Sequence, residues 1–152
     1  MADARAGKSA KAVEYPFLLI SQEMMTHARN WSGSVASLQE AYGLQTRTRW
    51  DSWIEINPEA AKALGIADGD AVWVESPAGR IKAQAHVYPG IWPNAVHMPY
   101  GQGHVSLIQW GRFREYGPRP IGANPLSIAD SGTEELSGSA AAMPVRVKVY
   151  RV

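Results

Sequence analysis

The most obvious candidates for acid–base chemistry are two close carboxylates, Asp68 and Asp70, on either side of Gly69. Paired carboxylates can act as general acid and base. Here the pair lies between a helix pattern and a strand pattern, which predicts a tight turn instead. His86 and His97 stand singly in predicted strands, where surface or core roles are commonest. No Ser/His/Asp set and no metal-spaced cluster stands out, so we expect no catalytic or metal-binding residue in this chain.

Composition excludes several further kinds of site. The chain has 152 residues and no cysteine, so disulfides, thiolate zinc sites, cysteine-ligated iron–sulfur clusters and a cysteine nucleophile are absent from it. Hydrophobic content of 45% and charged content of 19% are typical of one globular domain. The net charge of +1 gives no reason to expect nucleic acid as a partner. No window approaches the roughly 18 apolar residues of a membrane span, so we expect no direct membrane insertion and leave the compartment open.

The stretch around the Asp-Gly-Asp turn has the most consistent local pattern. Asn57 is placed to cap a helix that begins at Pro58, and Gly65 is placed to end that helix in a left-handed conformation. After the turn, residues 71–75 suit a strand. Residues 81–87 then alternate apolar and polar side chains, as in a half-buried strand. We therefore predict a capped helix that leads through a tight turn into a hairpin.

Other short segments share the strand pattern, and they bring the expected number of strands to six. These segments are residues 15–20, 53–56, 95–98 and 145–150. A short helix is expected near residues 35–42. Many short strands with few helices predict a small β-barrel. The small, polar residues 1–13 are expected to form a flexible tail, which leaves residues 14–152 as the barrel domain.

Two connections, before residue 53 and after residue 98, far exceed the usual length of about 4–6 residues. Disordered segments seldom hold many large aromatics, so we expect ordered surfaces that close over a ligand or a neighbouring chain. The aromatics in question are Trp31, Trp50, Tyr100, Trp110, Phe113 and Tyr116. Arg47 and Arg49 are expected to pair with surface carboxylates or to face a neighbouring subunit. Met24, Met25 and Met143 are expected to pack in the interior.

Several of these segments together resemble a known family. The stretch ALGIADGDAVWVESPAGRIKAQAHVYPGIWPNAVHMPYGQGH and the later GANPL are similar to the C-terminal domain of the dimethyl-sulfoxide-reductase family. That domain binds the molybdopterin guanine dinucleotides of large molybdenum or tungsten oxidoreductases. Leu-Gln-Glu at residues 38–40, Trp-Asp at residues 50–51, GQGH and ANPL resemble its respiratory branch, which holds polysulfide and thiosulfate reductases, menaquinone reductase and alternative complex III. The resemblance implies a mainly β fold, a six-stranded double-psi β-barrel of the aspartate-decarboxylase type with short helices and long loops.

The resemblance also implies which residues bind the cofactor. The family's first long loop and the stretch after its Met-Pro turn reach the pterins and nucleotides, so both loops should converge on one side of the barrel. The matching residues here are His27, Arg29, Asn30, Trp31, Gly33, Ser34, Gly101, Gln102, Gly103, His104 and Asn124. An Arg suits phosphate, Asn or Gln suits a ring edge, Trp suits a ring face, and glycines allow close approach.

One departure from the family leaves two hypotheses open. Many cofactor-binding members begin the first loop with Thr/Ser-Gly-Arg, whereas this chain has Ser21-Gln22-Glu23. The first hypothesis is a small cofactor-binding subunit, or split C-terminal domain, of a respiratory molybdenum or tungsten oxidoreductase. It would share bis-molybdopterin guanine dinucleotide with a larger catalytic chain, alongside iron–sulfur and membrane-anchor subunits, and lie peripheral to the membrane through them. The second is a structural subunit that keeps the barrel and has lost the cofactor.

Overall fold

The computed structural model of the chain describes residues 13–27, 32–33, 35–103, 122–129 and 145–152. Apart from Val13, the predicted flexible tail of residues 1–13 lies outside the described residues. The domain bounds of 14–152 therefore stay a prediction.

Six strands form a closed barrel. The elements in chain order are β1 (Phe17–Ile20), α1 (Ala36–Thr46), β2 (Trp53–Ile56), α2 (Pro58–Leu64), β3 (Ala71–Ser76), β4 (Gly79–Val87), β5 (Ala95–His97), a 3₁₀ helix (Pro125–Ile128) and β6 (Val145–Arg151). Around the barrel the strands follow the order β1-β5-β2-β4-β3-β6. The β1–β5 and β2–β4 pairs are parallel, and the other four pairs are antiparallel. This architecture confirms the predicted mainly β barrel with short helices.

The barrel interior is filled by alternate residues of each strand. Ile54 and Ile56 of β2 and Val96 of β5 are fully buried in one continuous core. Because side chains alternate across a strand, the neighbouring residues of β2 face outward. Trp53 on that outer face forms a second, smaller buried cluster with Met24. The outer face of β2 is therefore covered by other parts of the chain.

Both ends of α2 are capped as the sequence predicts. The Asn57 side chain accepts a hydrogen bond from Glu59 N at 2.9 Å, and Pro58 occupies the first turn. Gly65 ends the helix with φ of 66°. The Asp-Gly-Asp turn is also confirmed, since Asp70 Oδ2 accepts from Ala67 N at 2.9 Å.

The structure tests predictions for one arginine and two methionines. Arg49 forms the predicted surface ion pair, 3.1 Å from Glu40. Met24 is buried, but Met25 is 93% exposed, so its predicted place in the interior is wrong. The cause is a tight turn, closed by the hydrogen bond from His27 N to Met24 O at 3.0 Å, in which Met25 is directed outward. Met143 lies outside the described residues.

The helix predicted near residues 35–42 is present and runs further, over Ala36–Thr46. Among the described helices, none has the length and apolar character that crossing a membrane requires.

Gly65 gives a direct test of the end of α2. A Cβ built at Gly65 would meet nothing within 4 Å, so the cost of Gly65→Ala comes from backbone conformation alone. We expect this change to lower the free energy of unfolding by about 1 kcal/mol, measured by chemical denaturation. The matched variant Gly65→Asn should lose less stability, because Asn tolerates the left-handed region better than Ala. Equal stability of Gly65→Ala and wild type would contradict the left-handed cap.

Candidate functional site

The two long connections start side by side at one rim of the barrel. β1 and β5 are parallel neighbours, so both chains leave the pair at the same edge. Their pairing continues past the strands: Met98 N donates to Ile20 O at 3.0 Å, Tyr100 N to Gln22 O at 2.9 Å, and Met24 N to Tyr100 O at 3.1 Å. The first loop and residues 101–103, which we call the GQG segment, therefore converge on one side of the barrel, as expected.

A buried hydrogen-bond network joins these two loops. Gln39 of α1 and Gln102 exchange amide hydrogen bonds: Gln39 Nε2 donates to Gln102 Oε1 at 3.0 Å, and Gln102 Nε2 donates to Gln39 Oε1 at 2.8 Å. Gln39 Nε2 also donates to Gly33 O at 2.6 Å and lies 3.1 Å from His27 Nε2. The side chains of Gln39, Gln102 and His27 are at most 1% exposed. We call these four residues the buried amide network.

The amide of Gln39 has one orientation. A carbonyl oxygen can only accept, so Gly33 O requires the nitrogen of the Gln39 amide to face it. The two hydrogens of that nitrogen are then taken by Gly33 O and Gln102 Oε1. Nε2 of the His27 ring lies 3.1 Å from the same nitrogen, and Nδ1 lies 2.8 Å from Thr26 Oγ1. Both ring nitrogens of His27 are therefore in polar contact with the first loop or the network.

Two glycines bring the segment 122–124 against the GQG segment. Gly103 has φ of 92°, and a Cβ there would lie 2.7 Å from Asn124 N. Gly122 has φ of 65°, and a Cβ there would overlap Ser52 Oγ. Ser52 Oγ donates to Ala123 O and accepts from Ala123 N, both at 2.9 Å. Ser52, directly before β2, thus holds residues 122–124 next to the GQG segment. Only glycine fits at positions 103 and 122.

An open depression of about 470 Å³ lies where these glycines meet the β3–β4 hairpin. It is lined by Asp51, Trp73, Arg80, Ile81, Lys82, Gly103, Gly122, Ala123, Asn124 and Ser127. We call it the hairpin cleft. The Arg80 guanidinium carbon stands 4.5 Å from the centre of the Trp73 ring, a cation–π geometry. Lys82 also lines the cleft, so its charged lining residues are two cations, Arg80 and Lys82, and one carboxylate, Asp51.

A second cavity, of about 310 Å³, lies between the outer face of the barrel and the first loop. It is lined by Gln22, Glu23, Met24, Met25, Thr26, Ala41, Thr46, Trp53, Glu55, His97 and Pro99. We call it the first-loop cavity. The buried amide network connects the two depressions, since Thr26 and Gly103 are the chain neighbours of His27 and Gln102.

The polar centre of the first-loop cavity is a carboxylate–imidazole pair. Glu55 and His97 are register partners on β2 and β5, and His97 Nδ1 donates to Glu55 Oε2 at 2.9 Å. Burial alone would raise the pKa of the Glu55 carboxyl. The hydrogen bond and charge of His97, with the Trp53 indole N–H, instead hold that pKa below its ordinary value of 4.5. Glu55 is therefore a half-buried acceptor that stays ionised.

The structure places six of the residues that the resemblance assigns to the cofactor. His27, Gly33 and Gln102 meet in the buried amide network, while Gly103 and Asn124 line the hairpin cleft. Gly101 has φ of 123° and is the sixth of them. The Asn124 side chain also accepts from Leu126 N at 3.1 Å and so begins the 3₁₀ helix. Arg29, Asn30, Trp31, Ser34 and His104 lie outside the described residues.

The Ser21-Gln22-Glu23 departure has a local structural role. Ser21 Oγ donates to Met98 O at 2.6 Å and so adds to the pairing between the two loops. Glu23 forms an isolated bridge with Tyr100, and its side chain is exposed. Glu23 therefore directs its charge to the surface of the first loop.

Sequence reasoning missed four residues of the site: Gln39, Ser52, Glu55 and His97. Glu55 had one available signal, because it is a single carboxylate within the apolar strand WIEI. Its partner is 42 positions away, at His97, and no local pattern connects the two. Gln39 resembles any polar position of a surface helix, so nothing in its neighbourhood marks it as buried.

Comparison with known proteins identifies the kind of domain. The family model described as Molydopterin dinucleotide binding domain matches residues 24–145. The chain is 29% identical over 146 residues to the molybdopterin-containing subunit of arsenate respiratory reductase from Shewanella sp. (strain ANA-3), covering 91% of this chain and 16% of that protein. It is 24% identical over 104 residues to the menaquinone reductase molybdopterin-binding-like subunit of Nitratidesulfovibrio vulgaris, covering 65% of this chain and 14% of that protein.

A solved structure has the same fold. Acetylene hydratase from Pelobacter acetylenicus superposes with a TM-score of 0.71 at 18% identity, over 93% of this chain and 19% of that one. The chain thus spans less than a fifth of the length of each of these three proteins.

The buried amide network predicts a stability cost. Gln39→Leu should lower the free energy of unfolding by about 1–3 kcal/mol, because it leaves the Gln102 amide and the Gly33 carbonyl buried with lost partners. Denaturant titration measures the loss. Gln22→Leu, at an exposed position of the first loop, is the matched control and should stay within about 0.5 kcal/mol of wild type. A Gln39→Leu protein as stable as this control would contradict the network.

The Glu55–His97 pair predicts an acid-sensitive contribution to stability. Since the folded pKa of Glu55 is depressed, its contribution is fully present above the unfolded pKa and is lost as pH falls through the folded pKa. We expect the Tm of Glu55→Gln to fall less steeply than that of wild type between about pH 5 and pH 3. Glu59→Gln, at an exposed position of α2, should keep the wild-type slope. Identical slopes for Glu55→Gln and wild type would contradict the pairing.

Proposed function

The chain belongs to the Molydopterin dinucleotide binding domain family, and from this premise we propose that it holds a molybdopterin guanine dinucleotide for an oxidoreductase. The metal of that cofactor is molybdenum or tungsten, and the redox chemistry takes place on a partner chain. One observation carries the proposal: the two loops that the family uses for the cofactor meet at one rim through the buried amide network. A ligand at that rim can contact both loops at once.

The residues around the rim fit such a ligand. A pyrophosphate requires cationic groups and close approach of backbone N–H groups. The hairpin cleft offers Arg80 and Lys82 beside Gly103 and Gly122, where a Cβ would meet neighbouring atoms. The bound cofactor would supply the metal and its redox chemistry, and this chain would bind and orient it.

The family resemblance distributes roles among the loop residues. We propose Arg29 for phosphate, Trp31 for a ring face, and Asn30 and Asn124 for ring edges. Gly33, Ser34, Gly101, Gly103 and His104 would lie along the same ligand. His27 and Gln102 would act by holding the two loops together, since their side chains are buried in contacts with Gln39. For these two residues we therefore favour a positioning role.

We further propose that the domain works within a larger respiratory assembly. Each of the compared proteins is more than five times the length that this chain matches, and two are named as reductase subunits. A larger molybdopterin oxidoreductase chain is the proposed partner, with iron–sulfur and membrane-anchor subunits attached to it. The branch that we propose is that of polysulfide, thiosulfate and menaquinone reductases, and one of these relatives is a menaquinone reductase subunit by name. Such partners would place the chain peripheral to a membrane.

A second candidate is a structural subunit without cofactor. Two of the residues expected at the cofactor, His27 and Gln102, are wholly used in contacts within the chain. The Ser21-Gln22-Glu23 departure also favours a structural subunit, because Glu23 adds a carboxylate to the surface of the first loop. One relative is likewise named a molybdopterin-binding-like subunit.

Cofactor content of the native assembly distinguishes the two candidates. We expect the purified assembly to contain pterin, seen by the fluorescence of its oxidised form, together with molybdenum or tungsten by elemental analysis. Arg29→Ala with Asn124→Ala should lower pterin content several-fold while leaving circular dichroism unchanged. Asn124→Asp keeps the oxygen that accepts from Leu126 N and removes the amide donor, so it separates ligand contact from helix capping.

The matched control is Arg146→Ala with Asn94→Ala, which removes the same two residue types away from the rim. This control should retain the full pterin content. A wild-type assembly that contains neither pterin nor metal would contradict the proposal and support the structural subunit.

A further inference from the structure

The first-loop cavity contains a polar atom that has no partner. His97 is 9% exposed, and its Nε2 is buried without a hydrogen-bond partner in the part of the chain that the structure describes. Leaving such an atom unpaired is unfavourable, so a group that enters the cavity can supply the missing hydrogen bond. Nδ1 of the same ring donates to Glu55, which leaves Nε2 as the ring nitrogen available to a ligand.

Glu55 adds further acceptor capacity in the same cavity. Its Oε2 receives the hydrogen bond from His97, and its Oε1 lies 3.5 Å from the Trp53 indole nitrogen, too far for a strong bond. Each carboxylate oxygen can accept two hydrogen bonds, so both retain free capacity. The lowered pKa keeps this carboxyl ionised. The floor of the cavity is therefore rich in acceptors.

Apolar side chains form the walls around these acceptors. Trp53 and Met24 are each 5% exposed and pack together, and Pro99 lines the cavity beside them. The volume of about 310 Å³ is at the lower end of the range of about 300–1,000 Å³ found for small-molecule pockets. Apolar walls with a few convergent acceptors suit a flat heterocycle that presents N–H groups along one edge.

We infer that the first-loop cavity binds the 2-amino-4-oxopyrimidine edge that pterins and guanine share, with Glu55 accepting its N–H groups and His97 Nε2 hydrogen-bonded to the same edge. That edge carries a ring N–H next to an exocyclic amino group. Two adjacent donors match the two oxygens of a carboxylate. The inference rests on the proposed function, because it names which part of the dinucleotide this cavity holds.

The charged side chains of the two depressions favour this assignment. The ionised carboxyl of Glu55 lines the first-loop cavity, which therefore disfavours phosphate. Arg80 and Lys82 line the hairpin cleft. A ligand with a neutral heterocycle and an anionic pyrophosphate would place the heterocycle in the cavity and its phosphates nearer the cationic side chains of the cleft.

Binding of small probes to the full chain tests the inference. The probes are 6-hydroxymethylpterin and guanosine, with 6-hydroxymethyllumazine and inosine as matched analogues that lack the amino group. We expect each amino compound to bind at least tenfold more tightly than its analogue, measured by calorimetry. Tighter binding of the pterin assigns the cavity to the pterin end of the cofactor, and tighter binding of guanosine assigns it to the guanine end. Equal affinity of the amino compounds and their analogues would overturn the inference.

Variants at the two cavity residues provide the second test. Glu55→Gln replaces one acceptor oxygen by a donor and should weaken the preferred probe at least tenfold, and His97→Phe should weaken it similarly. Glu75→Gln is the matched control, because Glu75 lies on β3, pairs with Lys148 and lies outside the cavity. It should bind as wild type does. Unchanged affinity in both cavity variants would overturn the inference.

Measurements on the wild-type chain cover the case in which a variant does not fold. The ¹⁵N resonance of His97 Nε2 should shift when the preferred probe is added. A His97 resonance that does not move at saturating probe would overturn the inference.

A separate outcome distinguishes this inference from the proposed function. A native assembly that carries Glu55→Gln and keeps its full pterin content would overturn the role of the cavity and leave the proposed function intact. A wild-type assembly without pterin would overturn both.

Discussion

The parallel pairing of β1 with β5 is the constraint on which the site depends. Two parallel neighbours end at the same edge of a sheet, so the chains that follow them must start together. Here the pairing extends beyond the strands through Tyr100, whose N–H donates to Gln22 and whose carbonyl accepts from Met24. Two connections that are 77 positions apart at Ser21 and Met98 thereby become one surface. The buried amide network is possible only because the backbone has already brought its members together.

Successive residues of β2 face opposite sides of the barrel wall, so one set fills the core and the other lines the first-loop cavity. Ile54 and Ile56 fill the barrel interior, where any sufficiently apolar pair would serve. Trp53 and Glu55 face the other way and are covered by the first loop and α1. Burying an ion pair contributes little to stability, because desolvation offsets the attraction between the charges. Apolar residues at both positions 55 and 97 would serve the fold as well, so the pair there is better explained by what it can bind.

The fold was largely predictable from sequence, and the polar interior of the site was not. The capped helix, the Asp-Gly-Asp turn and the hairpin depend on neighbours within a few residues, so local patterns suffice to predict them. The pairs that build the site join distant positions: Gln39 and Gln102 are 63 residues apart. Loop length and aromatic content pointed to these loops, but only the family resemblance assigned single residues to the ligand. It placed Gln102 on the ligand, whereas the Gln102 amide is engaged by Gln39. Exposure of Met25 beside buried Met24 shows the same limit, since composition cannot tell which of two adjacent side chains faces inward.

The charged side chains around the rim are unevenly distributed. The carboxylate of Glu55 lines the first-loop cavity, and Arg80 and Lys82 line the hairpin cleft. Coulomb interactions in partly buried surroundings are strong enough to decide which end of a ligand lies where. A molecule that is neutral at one end and anionic at the other would then place its anionic end at the cleft. The buried amide network contains no carboxylate, lysine or arginine, so it adds no such preference of its own.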